Sequence, residues 1–151
     1  MKAEELRVGN LIVDYSQATP MIGRVTIEDI EHLIKFGDIV PIGGLRLTKD
    51  LLIKSGFVVD DVCVTDTHPF VDYVKDVVYI SMPYFEFTFN DGDNSVQLEY
   101  YHELQNLFYQ LTKQELELEG YQLQRKVEFT AGEIGKILDI SSGVFNEKKK
   151  P

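Results

Sequence analysis

Tyr100-Tyr-His-Glu-Leu-Gln-Asn-Leu-Phe-Tyr-Gln-Leu-Thr112 is the stretch around which the rest of this chain arranges itself. At about 100° per residue, Tyr100, Tyr101, Leu104, Leu107, Phe108 and Leu111 fall on one wide apolar stripe, while His102, Gln105, Asn106 and Tyr109 line the opposite side. The stripe predicts a helix packed across a core. The opposite side is polar yet almost uncharged, whereas a solvated helix face is usually filled with Lys and Glu. It reads in two ways: as a contact surface of donors and acceptors for a partner, with His102, Gln105, Asn106 and Tyr109 as binding residues, or as a face on which His102 and Asn106 tie down neighbouring loops.

Upstream of the helix lies the most β-rich part of the chain. Phe57 to Val59, Val62 to Thr65, Val77 to Met82, Tyr84 to Phe89 and Ser95 to Glu99 are strand candidates from their β-branched and aromatic content. Phe85, Phe87 and Phe89 alternate with Tyr84, Glu86 and Thr88, which marks one buried face. Asn90-Asp-Gly-Asp-Asn94 carries a hairpin signal. Further out, Arg7-Val-Gly-Asn-Leu-Ile-Val-Asp-Tyr15 starts with a turn at Gly9-Asn10 and continues as a strand, followed by a second near Met21 to Thr26. Ile27, Ile30, Leu33 and Ile34 have helical spacing, with Thr26 and Asp29 as a capping pair and Gly37 as the stop. Ile39-Val-Pro-Ile42 follows as an extended piece halted by Gly43-Gly44. Thr48 caps a short helix from Lys49 to Ser55, closed by Gly56.

On the other side, Tyr121, Leu123, Val127 and Phe129 alternate with polar residues and predict a strand, with Arg125 as the exception on the apolar side. Thr130-Ala-Gly-Glu133 is a capping box for a helix from Ala131 to about Asp139. The expected object is a single α+β domain: a mostly antiparallel sheet, the Tyr100 helix packed on it, smaller helices at its edges, and residues 117–151 as a strand–helix extension packed on the 1–116 body.

Composition bounds the function. With 151 residues, 44% apolar and 26% charged, the chain has the makeup of a globular domain able to bury a core. No apolar run is long enough for a membrane helix, and Met1-Lys-Ala-Glu-Glu-Leu-Arg7 lacks the apolar stretch of a signal peptide, so the chain reads as cytoplasmic. Cys63, the single cysteine, fits a reducing compartment and, within Val62-Cys63-Val64, reads as a small buried hydrophobe. A net charge of −10 opposes nucleic acid and permits a basic partner.

Motifs for chemistry are sparse. Asp91-Gly-Asp-Asn94 lacks calcium-loop spacing. Asp60, Asp61, Asp66, His68 and Asp72 gather carboxylates around one imidazole and would be the site of a small metal-dependent enzyme, but a lone His reads more simply as part of an acidic loop, with His68-Pro69 marking a turn. Gly43-Gly44 belongs to no phosphate loop, and neither a nucleophile elbow nor a His-Glu-x-x-His pair occurs. No catalytic residue, metal ligand or cofactor is therefore assigned. Thr130 to Val144 has the packing residues Ile134, Gly135, Leu138 and Ile140 of a partial helix-turn-helix, the basis of an alternative DNA-binding reading. Against it stand Asp139 in place of the turn glycine and the short remainder, Val144 to Pro151.

Three stretches carry a resemblance: Met1-Lys-Ala-Glu-Glu-Leu-Arg-Val-Gly-Asn-Leu-Ile12, Leu47-Thr-Lys-Asp-Leu-Leu-Ile-Lys-Ser-Gly-Phe57 and Tyr101-His-Glu-Leu-Gln-Asn-Leu-Phe-Tyr-Gln-Leu-Thr112. Together they resemble a family of small proteins without an assigned activity, common in Bacteroidota genomes and their phages and mobile elements. The chain departs from that pattern at Gly43-Gly-Leu-Arg46, where prolines are expected, and from Glu117 onward. The resemblance implies a mobile-element setting, in which a non-enzymatic accessory protein that binds another protein is the leading expectation. The sequence sets no oligomeric state.

Overall fold

The computed structural model describes residues 1–63, 70–83 and 86–119. Among these the chain forms two antiparallel sheets and three α-helices, an α+β domain. A small sheet has the order β2-β1-β3, from β1 (Leu11–Asp14), β2 (Met21–Arg24) and β3 (Ile42–Gly44). A large one is a meander of β4 (Val58–Cys63), β5 (Phe70–Lys75), β6 (Val78–Pro83), β7 (Phe87–Asp91) and β8 (Asn94–Leu98), each paired with its neighbour. The helices are α1 (Ile27–Phe36), α2 (Lys49–Lys54) and α3 (Tyr101–Thr112).

Each helix starts where the sequence places a cap. Thr26 Oγ1 accepts the Asp29 N–H at 3.1 Å while Asp29 Oδ2 accepts the Thr26 N–H at 2.8 Å, the reciprocal box that satisfies two orphan donors of α1. Thr48 Oγ1 accepts the Leu51 N–H at 3.2 Å. Glu103 reaches back to the N–H groups of Glu99 (2.7 Å) and Tyr100 (2.8 Å) and opens α3 without a Ser or Thr. Gly37 and Gly56 close α1 and α2 with φ of 58° and 86°. The expected hairpin forms with Asp91 opposite Asn94 and Gly92 at φ 58°.

Strand β1 explains why the two sheets share one body. Its successive side chains point to opposite faces: Leu11 joins the main core, and Ile12 joins a second cluster with Leu6, Val25 and Leu33 of α1. The small sheet is thus covered on both sides, by α1 and by α3. The far side of α3 meets the large sheet, where Tyr101, Leu104 and Phe108 pack with Tyr73, Val78, Ile80, Met82, Phe87, Phe89 and Leu98. Backbone bonds from Leu47 N–H to Glu99 O (2.9 Å) and from Tyr101 N–H to Leu45 O (2.7 Å) stitch the chain after β3 to the chain after β8.

Several expectations are corrected. The region read as an acidic loop contains β5, and Asp72 lies on that strand, opposite Asp61 of β4. Cross-strand pairing overrides the weak strand preference of Asp, because Val71, Tyr73 and Val74 around it suit a pleated surface. The two short strands expected at Phe57–Val59 and Val62–Thr65 are one strand with a register shift between Val59 and Asp61. Gly43 and Gly44 do not halt β3; they belong to it, paired with Val13 and Ile12. They are small because rings lie against them: a Cβ on Gly43 would come within 2.9 Å of the Tyr15 ring, and one on Gly44 would overlap three ring atoms of Tyr100. Leu111, expected on the buried stripe of α3, is 44% exposed, since the core ends at Phe108 and Leu116.

Gly44→Ala is expected to destabilise the protein by about 1–3 kcal/mol through this overlap. Thermal unfolding checks it: the midpoint falls by several degrees, and part of the loss returns when Tyr100 is changed to Leu in the same background.

Candidate functional site

The polar side of α3 meets the chain's own N-terminal segment. His102 and Gln105 are buried, 2% and 1% exposed, Asn106 is half-buried, and Tyr109 is the exposed member. What brings the N-terminus to this face is the turn before β1, where Gly9 adopts φ 92° and the Asn10 side chain folds back to accept the Arg7 N–H at 2.6 Å. Asn10, itself 1% exposed, then points its amide at α3.

The network that results is closed. Gln105 Oε1 accepts the Leu11 N–H at 2.7 Å and lies 3.5 Å from Asn10 Nδ2. Asn106 Oδ1 accepts from Asn10 Nδ2 at 3.0 Å and from Arg7 Nε at 2.8 Å, while Asn106 Nδ2 donates to Glu5 O at 2.8 Å. Both amide orientations are fixed by groups that can play one role alone: a backbone N–H that donates to Gln105 and a carbonyl that accepts from Asn106. Arg7 spans the rim. Its guanidinium lies 4.2 Å from the Tyr109 ring centroid and holds Glu115 through Nη1 (3.0 Å) and Nη2 (3.3 Å).

Residues after α3 close the same seam. Arg24 Nη2 meets Glu117 at 3.2 Å, so Arg7–Glu115 and Arg24–Glu117 flank Leu116, which is buried in the main core. Both ion pairs are solvent-exposed and contribute roughly 0–1 kcal/mol each; Leu116 contributes more by burial. Leu118 packs on the core and the Glu119 N–H donates to Lys54 O at 2.9 Å. The remainder of the expected extension, the partial helix-turn-helix and the lysine tail lie outside the described residues.

Two buried titratable groups stand beside this seam. His102 stacks on Tyr100 with ring centroids 5.7 Å apart and planes 12° from parallel, and its Nδ1 has no hydrogen-bond partner among the described residues. Burial lowers its pKa below 6.5, with Glu103 and Glu5 pulling the other way. Tyr101 bonds Ser55 Oγ at 2.7 Å, and because that hydroxyl donates to Leu51 O at 2.6 Å, the phenol is the donor. Burial pushes the Tyr101 phenol up to about 12, so it stays protonated and structural.

The predicted binding face is therefore engaged within the chain. The structure makes Gln105, Asn106 and Tyr109 the α3 half of a clasp whose other half is Arg7, Asn10 and the Leu11 N–H, while His102 is buried on the same helix and stacked on Tyr100. The sequence reading omitted Arg7, Asn10 and Glu115 from this site; its one local signal was the Gly9-Asn10 turn. Of the acidic group, Asp60, Asp61 and Asp72 lie on β4 and β5, while Asp66, His68 and the side chain of Cys63 lie outside the described residues. Among the described residues no three His, Cys, Asp or Glu side chains are grouped to hold a metal, and no helix is long and apolar enough to cross a membrane. Comparison with protein-family models, with curated proteins and with solved structures returns no match.

Gln105→Leu leaves the Leu11 N–H buried without an acceptor and is expected to cost about 1–3 kcal/mol in denaturant unfolding, whereas Gln110→Leu on the exposed side of α3 stays within about 0.5 kcal/mol of wild type. For His102 the folded pKa lies below the unfolded one, so the unfolded chain binds the extra proton. Its contribution is complete above pH 6.5 and is lost as pH falls toward the folded value. Unfolding measured at intervals from pH 7.5 to 4.5 should show this acid-side loss reduced in His102→Gln.

Proposed function

We propose that the protein is a non-enzymatic accessory protein of a phage or mobile element that binds another protein, and that its contact surface is the apolar end of α1. The observation that supports this reading is a run of large apolar side chains left in water: Ile34 is 73% exposed, Phe36 49% and Ile39 84%, with Tyr15 at 54% on the adjoining strand end. The Tyr15 N–H donates to Pro41 O at 2.7 Å, which places its backbone beside the 37–41 turn.

The cause lies in the width of the α1 stripe. Leu33 packs with Ile12 of the small sheet, yet Ile34, one position further round, is left exposed. Apolar side chains clustered at one end of an element mark contact surfaces in soluble domains. Each of these, once covered, stabilises a complex by about 1–2 kcal/mol. Lys35 lies 5.0 Å from the Phe36 ring, and His32 packs on it at 6.0 Å, so polar groups rim an apolar centre. On the polar face of α3, Gln105 and Asn106 are already bonded to the N-terminal segment, so the reading rests on the end of α1 instead.

The test is capture from native host extract with the wild type and with Ile34→Glu/Ile39→Glu, whose thermal midpoint should match wild type within a few degrees because both positions are exposed. A protein enriched by the wild type and reduced at least about tenfold with the variant, a difference of about 1.4 kcal/mol, supports the reading. Equal enrichment by both forms, or nucleic acid alone in the eluates, overturns it.

A further inference from the structure

We propose that the face of the large sheet turned away from α3 is a docking surface for a basic partner protein, which sets apolar side chains on Val58, Val74 and Tyr79 and Lys or Arg on the carboxylates beside them. This surface shares no residue with the end of α1, so the two readings stand or fall separately. The pleat decides which side chains it holds. Tyr73, Val78, Ile80, Met82, Phe87 and Phe89 are buried on the α3 side, so the residues between them turn outward. Val58 lies opposite Val74 and Val74 opposite Tyr79, which makes one apolar row across three strands, with Cβ atoms about 4.5–5.5 Å apart. Val58 is 60% exposed and Tyr79 55%, and Val77, in the turn between β5 and β6, is 65% exposed.

The next row on the same face selects the partner. Asp61 lies opposite Asp72, and the row continues through Ser81, Thr88 and Gln97. Asp61 is exposed and Asp72 half-buried. Two carboxylates directly opposite each other repel, and a cation set against them relieves the repulsion. The strands supply none on this face. Lys75 is the one Lys or Arg among their described residues, and it lies on the α3 side opposite Val78, with Nζ against Gly56 and 5.9 Å from the Phe108 ring. Residues 58–98 hold eight Asp and Glu against that single lysine, a net of −7 where the whole chain carries −10. The field of this part of the molecule therefore attracts a cationic surface and repels an anionic one.

Other occupants fit worse. A second copy of the chain would set the aspartates of two such faces against each other, and a nucleic acid or an anionic membrane meets the same repulsion. A metal ion lacks ligands, because among the described residues no three His, Cys, Asp or Glu side chains are grouped to hold one. An apolar centre with a charged border is the pattern of a contact between proteins, in which the apolar groups hold the complex and opposite charges speed and orient its approach.

Titration of the full-length protein with defined probes tests this: an amphipathic peptide of Leu and Lys, one of Gln and Lys, and one of Leu and Glu. The Leu/Lys peptide should bind, more weakly as salt rises, and the other two should not. Its affinity should fall at least about tenfold for Val58→Ser/Tyr79→Ser and for Asp61→Asn/Asp72→Asn, the second of which keeps the side-chain shapes and removes the charges. Ile34→Ser/Ile39→Ser should bind as wild type does, which separates this surface from the end of α1. Hydroxyl-radical footprinting supplies a second readout: in the free protein Tyr79 should react about as readily as Tyr15, which is 54% exposed, and the peptide should shield it. Equal binding of the Gln/Lys peptide, unchanged affinity in either face variant, or no binding of the Leu/Lys peptide overturns the proposal. So does shielding of Tyr79 in the free protein, which assigns the face to a second copy where it grows with concentration and to the chain itself where it does not.

Discussion

The hydrogen bond from the Leu11 N–H to Gln105 Oε1 sets the relation between the parts of this molecule. It joins the first residue of a sheet to the middle of a helix ninety-four positions away, in a place where neither partner reaches water. A buried donor left unmade costs more than the bond gains, so the interaction acts chiefly as a constraint. Turning α3 by one residue, about 100°, would strand Gln105, Asn10 and Asn106 together. Sliding β1 by one residue would exchange Leu11 and Ile12 between the two cores. The network fixes which face of α3 meets the small sheet, and so which face is left for the large one.

From that placement the other contacts follow. With Gln105 held toward β1, Tyr101, Leu104 and Phe108 are carried toward the meander, and the Tyr101 phenol reaches Ser55 at the end of α2. Tyr100, one residue earlier, lies over Gly44, where only a residue without a side chain leaves room. Helix α3 is thus anchored by polar bonds on one side and by apolar packing on the other. Two sheets that share no strand become a single body through it.

How much of this could be read in advance divides along range. The caps at Thr26 and Thr48, the stops at Gly37 and Gly56 and the turn at Gly92 are decided within a few residues, and local chemistry identifies them. Helix α3 and its apolar stripe were legible for the same reason. Strand β5 was not: two aspartates and a His-Pro pair suggested a loop, and what made it a strand was the pairing available from β4 and β6. The polar side of α3 shows the limit of periodicity. It separates one face from the other but does not say whether a polar face meets water, a partner or the chain's own N-terminus. The deciding residues, Arg7 and Asn10, lie about a hundred positions away, and a turn is all that marks them locally.

The chain therefore places polar and apolar groups in unusual positions. Uncharged polar side chains, Asn10, His102 and Gln105, are buried where the sheets meet α3, while Ile34, Ile39 and the β4 valines remain in water. Burying amides specifies one arrangement, since a network of this kind tolerates few alternatives. Among the apolar groups left outside are those at the end of α1, beside the three short strands of the small sheet, and those on β4, at the edge of the described meander. Both are places where the fold runs out of its own surface to cover an apolar group. The polar side of α3 thus fixes how the helix sits between the two sheets, and with it which apolar groups the sheets can cover.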